Sequence, residues 1–188
     1  MHEPHNPDIL NTMKSKHTLQ DLLNLMRHLR DPQNGCPWDQ QQDFKSIAPY
    51  TIEEAYEVAD AIDRSDMQDL KKELGDLLFQ VVFHSQMAEE KAAFDFSDVV
   101  HGISEKMIQR HPHVFGGEKA GTIEEQRRRW EEIKRNEQPE SYQSAMDGVT
   151  KTLPALNVAK KLQQKAASVG FDWPNIEGVF AKLDEEIG

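Results

Sequence analysis

Five acidic residues crowd the first half of the chain: Glu53, Glu54 and Glu57, and then, sixteen residues after Glu57, Glu73 and Asp76. On a helix, residues three or four apart share a face. Glu54 and Glu57 therefore project together, Glu53 joins Glu57, and Glu73 pairs with Asp76. The intervening Asp63-Arg64-Ser65-Asp66 suits a tight turn, so two antiparallel helices would carry Glu54, Glu57, Glu73 and Asp76 to one locus. Four carboxylates at one locus cannot all stay ionised without compensation. Hard divalent cations supply it; Mg²⁺ takes oxygen ligands, keeps several waters and bridges to phosphates. Ile52, Ala55, Ala59, Ile62, Leu74, Leu77 and Leu78 set these acids beside an apolar stripe. Gly75, which costs a helix interior about 1 kcal/mol relative to Ala, suggests close approach of another backbone or a bound group. A plainer reading stands beside this one. Acidic pairs at helical spacing are commonly solvated faces, and Glu54 is also the capping-box partner of Thr51. Spacing alone leaves the two readings open.

The elements that must position these residues are helices. No proline occurs between Pro49 and Pro112, nor between Pro112 and Pro139, and such tracts favour helix. Leu19, Leu22, Leu23, Met26 and Leu29 recur at helical spacing, as do Leu70, Leu74, Leu77, Leu78, Val81 and Val82, and then Val99, Val100, Ile103 and Met107. No run of strict alternation predicts a strand. Thr18, Thr51, Asp66, Ser97 and Thr122 are each placed to cap a helix. The expected helices run near 18–30, 51–64, 66–90, 97–110 and 122–136. A polar stretch with Pro139, Ser141, Ser144 and Gly148 reads as a linker. A further helix runs from about Pro154 to Val169, ended by Gly170, and another begins near Asn175.

A weak internal repeat relates Trp38–Glu57 to Trp173–Gly188. Cys36-Pro37-Trp38-Asp39 and Phe171-Asp172-Trp173-Pro174 each precede a Glu-Glu pair, Glu53-Glu54 and Glu185-Glu186. This predicts a second copy of one domain that stops just after its signature begins; chance likeness among common residues is the alternative. The expected organisation is a flexible segment 1–17, a first repeat 18–137, a linker 138–153 and a truncated second repeat 154–188.

Composition narrows the partners. The 188 residues carry a formal net charge of -11, with 37% apolar and 29% charged residues. So acidic a surface repels phosphate backbones and anionic membranes. The single cysteine, Cys36, allows no intrachain disulfide and fits a reducing cytoplasm. No segment approaches the ~20 apolar residues of a membrane span, so a soluble cytoplasmic protein is expected.

Glu-Glu-x-x-Glu, a spacer, and Glu-x-x-Asp resemble the signature of the all-α nucleoside triphosphate pyrophosphohydrolases of the MazG family. Gly35-Cys36-Pro37-Trp38-Asp39, Glu73-Leu74-Gly75-Asp76-Leu77-Leu78-Phe79, Arg110-His111-Pro112-His113-Val114-Phe115 and Trp130-Glu131-Glu132-Ile133-Lys134 resemble MazG proper. The resemblance implies an all-α, four-helix-type bundle that dimerises. It implies Mg²⁺ dependence, with Mn²⁺ as a substitute, and hydrolysis of nucleoside triphosphates between the α- and β-phosphates. By that resemblance Glu54, Glu57, Glu73 and Asp76 are metal ligands, and Glu53 orients or deprotonates the water. Lys106 and Arg110 assist catalysis, and Lys72, Trp130 and Lys134 contact nucleotide. Lys182, Glu185 and Glu186 open the equivalent site of the second repeat. The alternative is a non-catalytic dimerisation or regulatory module that keeps cation binding.

Other residues have plain readings. His111 and His113 flank Pro112 in what reads as an extended turn, with no third ligand at zinc spacing. Cys36 reads as a packed thiol. Arg127, Arg128 and Arg129 form either a solvated face or a triphosphate clamp. Trp130 is either core or a base-stacking ring with Lys134 one turn on. No Gly-rich phosphate loop of the Walker type is present. For assembly, the 66–90 helix spans ~37 Å. Its far half carries Val81, Val82, Phe83 and Met87, which a bundle of about 120 residues leaves partly uncovered. An exposed stripe of that kind marks an interface, so a homodimer packed along this helix is expected.

Overall fold

The computed structural model describes residues 16–117, 121–137 and 144–188. Among these the chain is all-α, with no strand. Residues 1–15 of the first expected segment and 138–143 of the expected linker, with Pro139 and Ser141, lie outside the described residues. The chain forms two compact units, Met1–Phe115 and Gly116–Gly188.

In the first unit, α1 (Leu19–Leu29) starts at Thr18 as expected. The Thr18 hydroxyl accepts from the Asp21 N–H, and the Asp21 carboxylate accepts from the Thr18 N–H at 2.7 Å, a reciprocal capping box. A short α2 (Pro37–Gln41) follows, with Pro37 in its first turn. Next come α3 (Phe44–Asp63), α4 (Met67–Glu90), α5 (Phe96–Arg110) and the single turn α6 (Pro112–Phe115).

The start of α3 corrects the sequence reading. Asp43, not Thr51, is the cap: its carboxylate accepts from the Lys45 and Ser46 N–H groups at 2.8 Å each, and its own N–H donates to Ser46 Oγ at 2.9 Å. Pro49 therefore lies inside the helix. Near a helix start, proline removes one intrahelical hydrogen bond, a cost that the Asp43 cap and the burial of Ile47 offset. Thr51 instead meets His84 Nε2 of α4 through its hydroxyl at 3.0 Å. Likewise Asp95, not Ser97, caps α5, in a box with Asp98. His111-Pro112-His113 is no extended turn: Pro112 opens α6, and His111 Nδ1 sits 2.6 Å from the Met107 carbonyl.

Helices α3 and α4 form an antiparallel hairpin. Its turn is a Schellman motif: the Ser65 N–H donates to the Ile62 carbonyl and the Asp66 N–H to the Ala61 carbonyl. Ser65 takes the left-handed position at φ 56°. Asp66 then caps α4, accepting from the Gln68 and Asp69 N–H groups at 3.0 Å. Arg64 clamps the corner through Asp60 at 2.7 Å and through Asp69.

Met26 of α1, Ile47 of α3, and Val82, Phe83 and Met87 of α4 form the buried core, with Leu22, Leu23, Phe44, Phe79 and Phe96 packed against it. This overturns the expectation that the far half of α4 lacks cover. Only Val81 of the four named residues is exposed. Helices α1, α3 and α5 all pack on α4, and together they cover what the sequence pattern could not assign.

In the second unit, Thr122 and Glu125 make the expected capping box at the start of α7 (Ile123–Asn136). Helix α8 (Ala155–Ala167) ends at Gly170, which has φ 85°, and α9 (Ile176–Ile187) begins at Asn175, whose side chain accepts from the Gly178 N–H.

Candidate metal centre

The α3–α4 hairpin joins two local pairs that the sequence already set at helical spacing. Glu54 and Glu57 come from α3 and Glu73 from α4, and each offers a carboxylate oxygen within 4.8 Å of the others. Glu73 is buried, at 4% exposure, Glu54 is half-buried and Glu57 exposed. Asp76, one turn beyond Glu73, stands outside this tight group. Its charge nevertheless acts on Glu54 more strongly than that of any other acid.

The electrostatics are those of an uncompensated site. Desolvation pushes Glu54 above the usual carboxylate range, and the charges of Asp76, Glu73 and Glu53 push it further. Desolvation also raises Glu57, followed by the charge and close approach of Glu73 and then by Glu54 and Glu53. One cation answers this charge directly. Lys72 places Nζ 2.6 Å from Glu73 Oε1 and 3.9 Å from Asp69. The hydrogen bond to Glu73 holds the Lys72 ammonium above its ordinary value.

The other oxygen, Glu73 Oε2, is buried and has no hydrogen-bond partner. A buried carboxylate oxygen without a donor is costly. A divalent cation among Glu54, Glu57 and Glu73 would satisfy it, and an all-oxygen donor set suits a hard ion. The residues present therefore fit such an ion.

The remaining candidates divide by element. Glu53 is exposed on α3, and its charge reaches both Glu54 and Glu57. On α5, Lys106 is exposed and Arg110 half-buried. In the second unit, Lys134 stands 5.6 Å over the Trp130 ring and 2.9 Å from Glu131, while Arg127, Arg128 and Arg129 are exposed on α7. Lys182 pairs with Glu185 at 2.7 Å and Glu186 at 3.1 Å along the exposed face of α9. Among the described residues a Cβ on Gly75 would meet nothing within 4 Å, so the close approach that the sequence suggested there does not come from a described part of this chain. Asp69 was missed. It lies four residues before Glu73 and receives both Arg64 and Lys72, and its i,i+4 spacing to Glu73 was the available signal.

Residues 42–115 match the MazG nucleotide pyrophosphohydrolase domain. The chain is 54% identical over 167 residues to a nucleoside triphosphate pyrophosphohydrolase of Escherichia coli strain K12, a match covering 88% of this chain and 64% of that protein. It is 43% identical over 168 residues to the nucleoside triphosphate pyrophosphohydrolase/pyrophosphatase MazG of Thermotoga maritima, covering 89% of this chain and 64% of that one. Residues 42–115 therefore form a MazG domain, and the wider chain is similar to these MazG relatives. It spans 64% of the length of these two relatives. Its fold resembles the crystal structure of a mazG-related protein from Thermotoga maritima, with a TM-score of 0.52 and 28% identity over 62% of this chain and 99% of that one. The MazG match contains Glu53, Glu54, Glu57, Lys72, Glu73, Asp76, Lys106 and Arg110. Trp130, Lys134, Lys182, Glu185 and Glu186 lie beyond it.

Proposed function

We propose that this chain hydrolyses nucleoside triphosphates to the monophosphate and pyrophosphate, using Mg²⁺ (or Mn²⁺ in its place) held by Glu54, Glu57, Glu73 and Asp76. The observation that carries this reading is Glu73, whose carboxylate groups with those of Glu54 and Glu57 and whose Oε2 is buried without a donor. The printed names of the relatives, nucleoside triphosphate pyrophosphohydrolases, support the reaction class. Bound at these acids, a divalent ion supplies Lewis-acid polarisation of the phosphates and a lowered pKa for attacking water. Glu53 orients that water or takes its proton. Lys106 and Arg110 neutralise charge on the pyrophosphate leaving group and Lys72 meets phosphate; in the second unit, Trp130 stacks a base with Lys134 one turn on. Lys182, Glu185 and Glu186 contribute the opening of a second, equivalent site.

Pyrophosphate release measured across the eight common triphosphates, with and without Mg²⁺, tests the proposal. Metal-dependent pyrophosphate is expected; orthophosphate as the primary product overturns it. The Lys72–Glu73 ion pair favours one second reading, a non-catalytic dimerisation or regulatory module whose acids serve a structural role, because part of their charge is already answered within the chain. Titration with Mg²⁺ and a non-hydrolysable triphosphate separates the two readings, since a module without a nucleotide site shows no saturable, metal-dependent binding.

A homodimer is part of the proposal, on a different face from the one the sequence suggested. Leu74, Leu78 and Val81 lie exposed along one side of α4, and Ile52 and Tyr56 are exposed on α3. A second copy covering these residues would remove an apolar surface from water. The net charge of -11 disfavours nucleic acid and anionic membranes as partners. Among the described residues no helix is long and apolar enough to cross a membrane, which agrees with the proposed cytoplasmic setting.

A further inference from the structure

Glu73 divides its two oxygens between different surroundings. Oε1 receives the Lys72 ammonium at 2.6 Å, whereas Oε2 is buried, without a hydrogen-bond partner, on the same carboxylate that groups with Glu54 and Glu57 within 4.8 Å. Lys72 reaches this point from solvent: its side chain is 68% exposed while that of Glu73 is 5% exposed. The ammonium also lies 3.9 Å from Asp69, whose carboxylate is in turn held by Arg64. Lys72 is thus guided to the mouth of the acid group by two carboxylates one helical turn apart, and it lies beside the acids, not among them. We propose that Lys72 is the resident counter-cation of this site: it keeps Glu73 Oε1, leaves Oε2 to a divalent ion, and thereby weakens that ion's binding to the nucleotide-free protein.

The physical reason is charge proximity. An ion held by Glu73 Oε2 sits within a few ångströms of an ammonium on Oε1 of the same carboxylate. Two like charges at about 5 Å repel appreciably even at the dielectric constant of water, and a doubly charged ion feels twice that force. The ammonium also claims one of the two oxygens, so an ion bound here would have to share Glu73 with it. Removing the positive charge should tighten the site, while keeping it with another cationic side chain should not. The helix itself gives no reason for a change in affinity, because Lys72 is exposed and both Met and Gln are adequate helix formers.

The inference rests on the proposed metal site, and its test distinguishes the two. Mn²⁺ alone is titrated into the metal-free full chain, followed by calorimetry and by the loss of the free-ion paramagnetic resonance signal. The variants are Lys72→Met, Lys72→Gln and Lys72→Arg. The expected result is saturable binding by the wild type, roughly tenfold tighter binding by both neutral variants, and near-wild-type binding by Lys72→Arg. A general loss of structure cannot imitate a gain in affinity. Wild-type binding with unchanged or weaker binding in Lys72→Met and Lys72→Gln overturns the role of Lys72 and leaves the metal site standing. Equal tightening by Lys72→Arg also overturns it, because charge would then not be the cause. No saturable binding by the wild type overturns the metal reading itself, and this inference with it.

Discussion

Arg30 holds Glu90 through two parallel bonds, Nε to Oε1 at 2.7 Å and Nη2 to Oε2 at 2.6 Å. The Arg30 side chain is only 8% exposed, and its guanidinium lies 5.3 Å from the centre of the Phe83 ring. Its Nη1 donates to the carbonyls of Asp39 and Gln42. One buried cation therefore fastens the end of α1, the α2 region and the end of α4, next to the core. Arg30→Met removes both short bonds to Glu90, which keeps only the Gln86 amide at 3.4 Å, and the side-chain donor to two carbonyls, of which that of Asp39 keeps the Gln42 N–H; it is expected to cost about 3 kcal/mol of stability. Arg30→Lys should recover only part, since an ammonium cannot reproduce the two-toothed geometry. Denaturant unfolding checks this; a loss under about 0.5 kcal/mol for Arg30→Met would match an ordinary surface change and refute the role. Arg30 also holds the Glu90 pKa below its ordinary 4.5. This part of the stability is full above pH 4.5 and is lost as the pH falls through the lower folded-state value.

The acid group has the opposite sign. Glu54 and Glu57 are both raised above 4.5 in the folded chain, first by desolvation and then by neighbouring acids. A raised folded pKa means that the folded state takes up protons first as the pH falls. The stability linked to these groups is full below 4.5 and is lost as the pH rises through their raised values. In metal-free protein the Glu54→Gln/Glu57→Gln double variant should therefore be more stable than the wild type at pH 7, and the difference should close as the pH approaches 4.5. Melting curves in chelator across this range provide the measurement. A wild type that stays the more stable at pH 7 would show that other contacts of these carboxylates outweigh their repulsion.

The residues that were legible in the sequence owe it to local geometry. Glu54 with Glu57, and Glu73 with Asp76, share faces because the helix period puts them there, and the caps at Thr18, Asp66, Thr122 and Asn175 act within three residues of themselves. The turn over Arg64-Ser65-Asp66 then brings the two acidic pairs together, as its composition suggested. Local reasoning failed at Pro49, where the rule that proline bounds a helix lost to a strong cap at Asp43. It failed again at Val82, Phe83 and Met87, whose cover comes from Met26 and Ile47, distant in sequence. The pairing of Lys72 with the residue beside it was hidden for another reason. Neighbours in sequence do not face each other on a helix, yet a long flexible side chain can fold across to reach Oε1 of Glu73.

Among the described residues, two that are not glycine take the left-handed conformation at helix ends. Ser65 has φ 56° after α3, and Ala92 has φ 52° after α4, where the Ala93 N–H donates to the Ala88 carbonyl and the Ala92 N–H to the Glu89 carbonyl. Both occupy the position that glycine normally fills in a Schellman motif. A Cβ there costs about 1–2 kcal/mol, and glycine's extra freedom in the unfolded chain gives part of this back. Ala92→Gly and Ser65→Gly should each raise stability by about 0.5–1 kcal/mol, adding independently because they lie at opposite ends of α4. Thermal unfolding of the single and double variants tests this. A destabilised Ser65→Gly alone would mean that the serine side chain makes a contact worth more than the strain.

Gly75 gives the sharpest test of whether α4 is covered in the working protein. It sits in the middle of the helix beside exposed Leu74, between two of the proposed metal ligands, and a Cβ built on it meets nothing within 4 Å. Within one chain, Gly75→Ala removes an unfavourable helix residue without a clash, so stability should rise by about 1 kcal/mol. Wild type and variant are compared by denaturant unfolding at a dilution where sedimentation finds single chains, and there the gain is expected in full. The comparison is then repeated at a concentration where sedimentation finds the proposed dimer. If a second copy seats its backbone against Gly75, the added methyl group must push it away. The variant will then associate more weakly and its gain will shrink or reverse as concentration rises. A gain that is the same at both concentrations would show that Gly75 faces water in the dimer as well, and that the second copy rests elsewhere on α3 and α4.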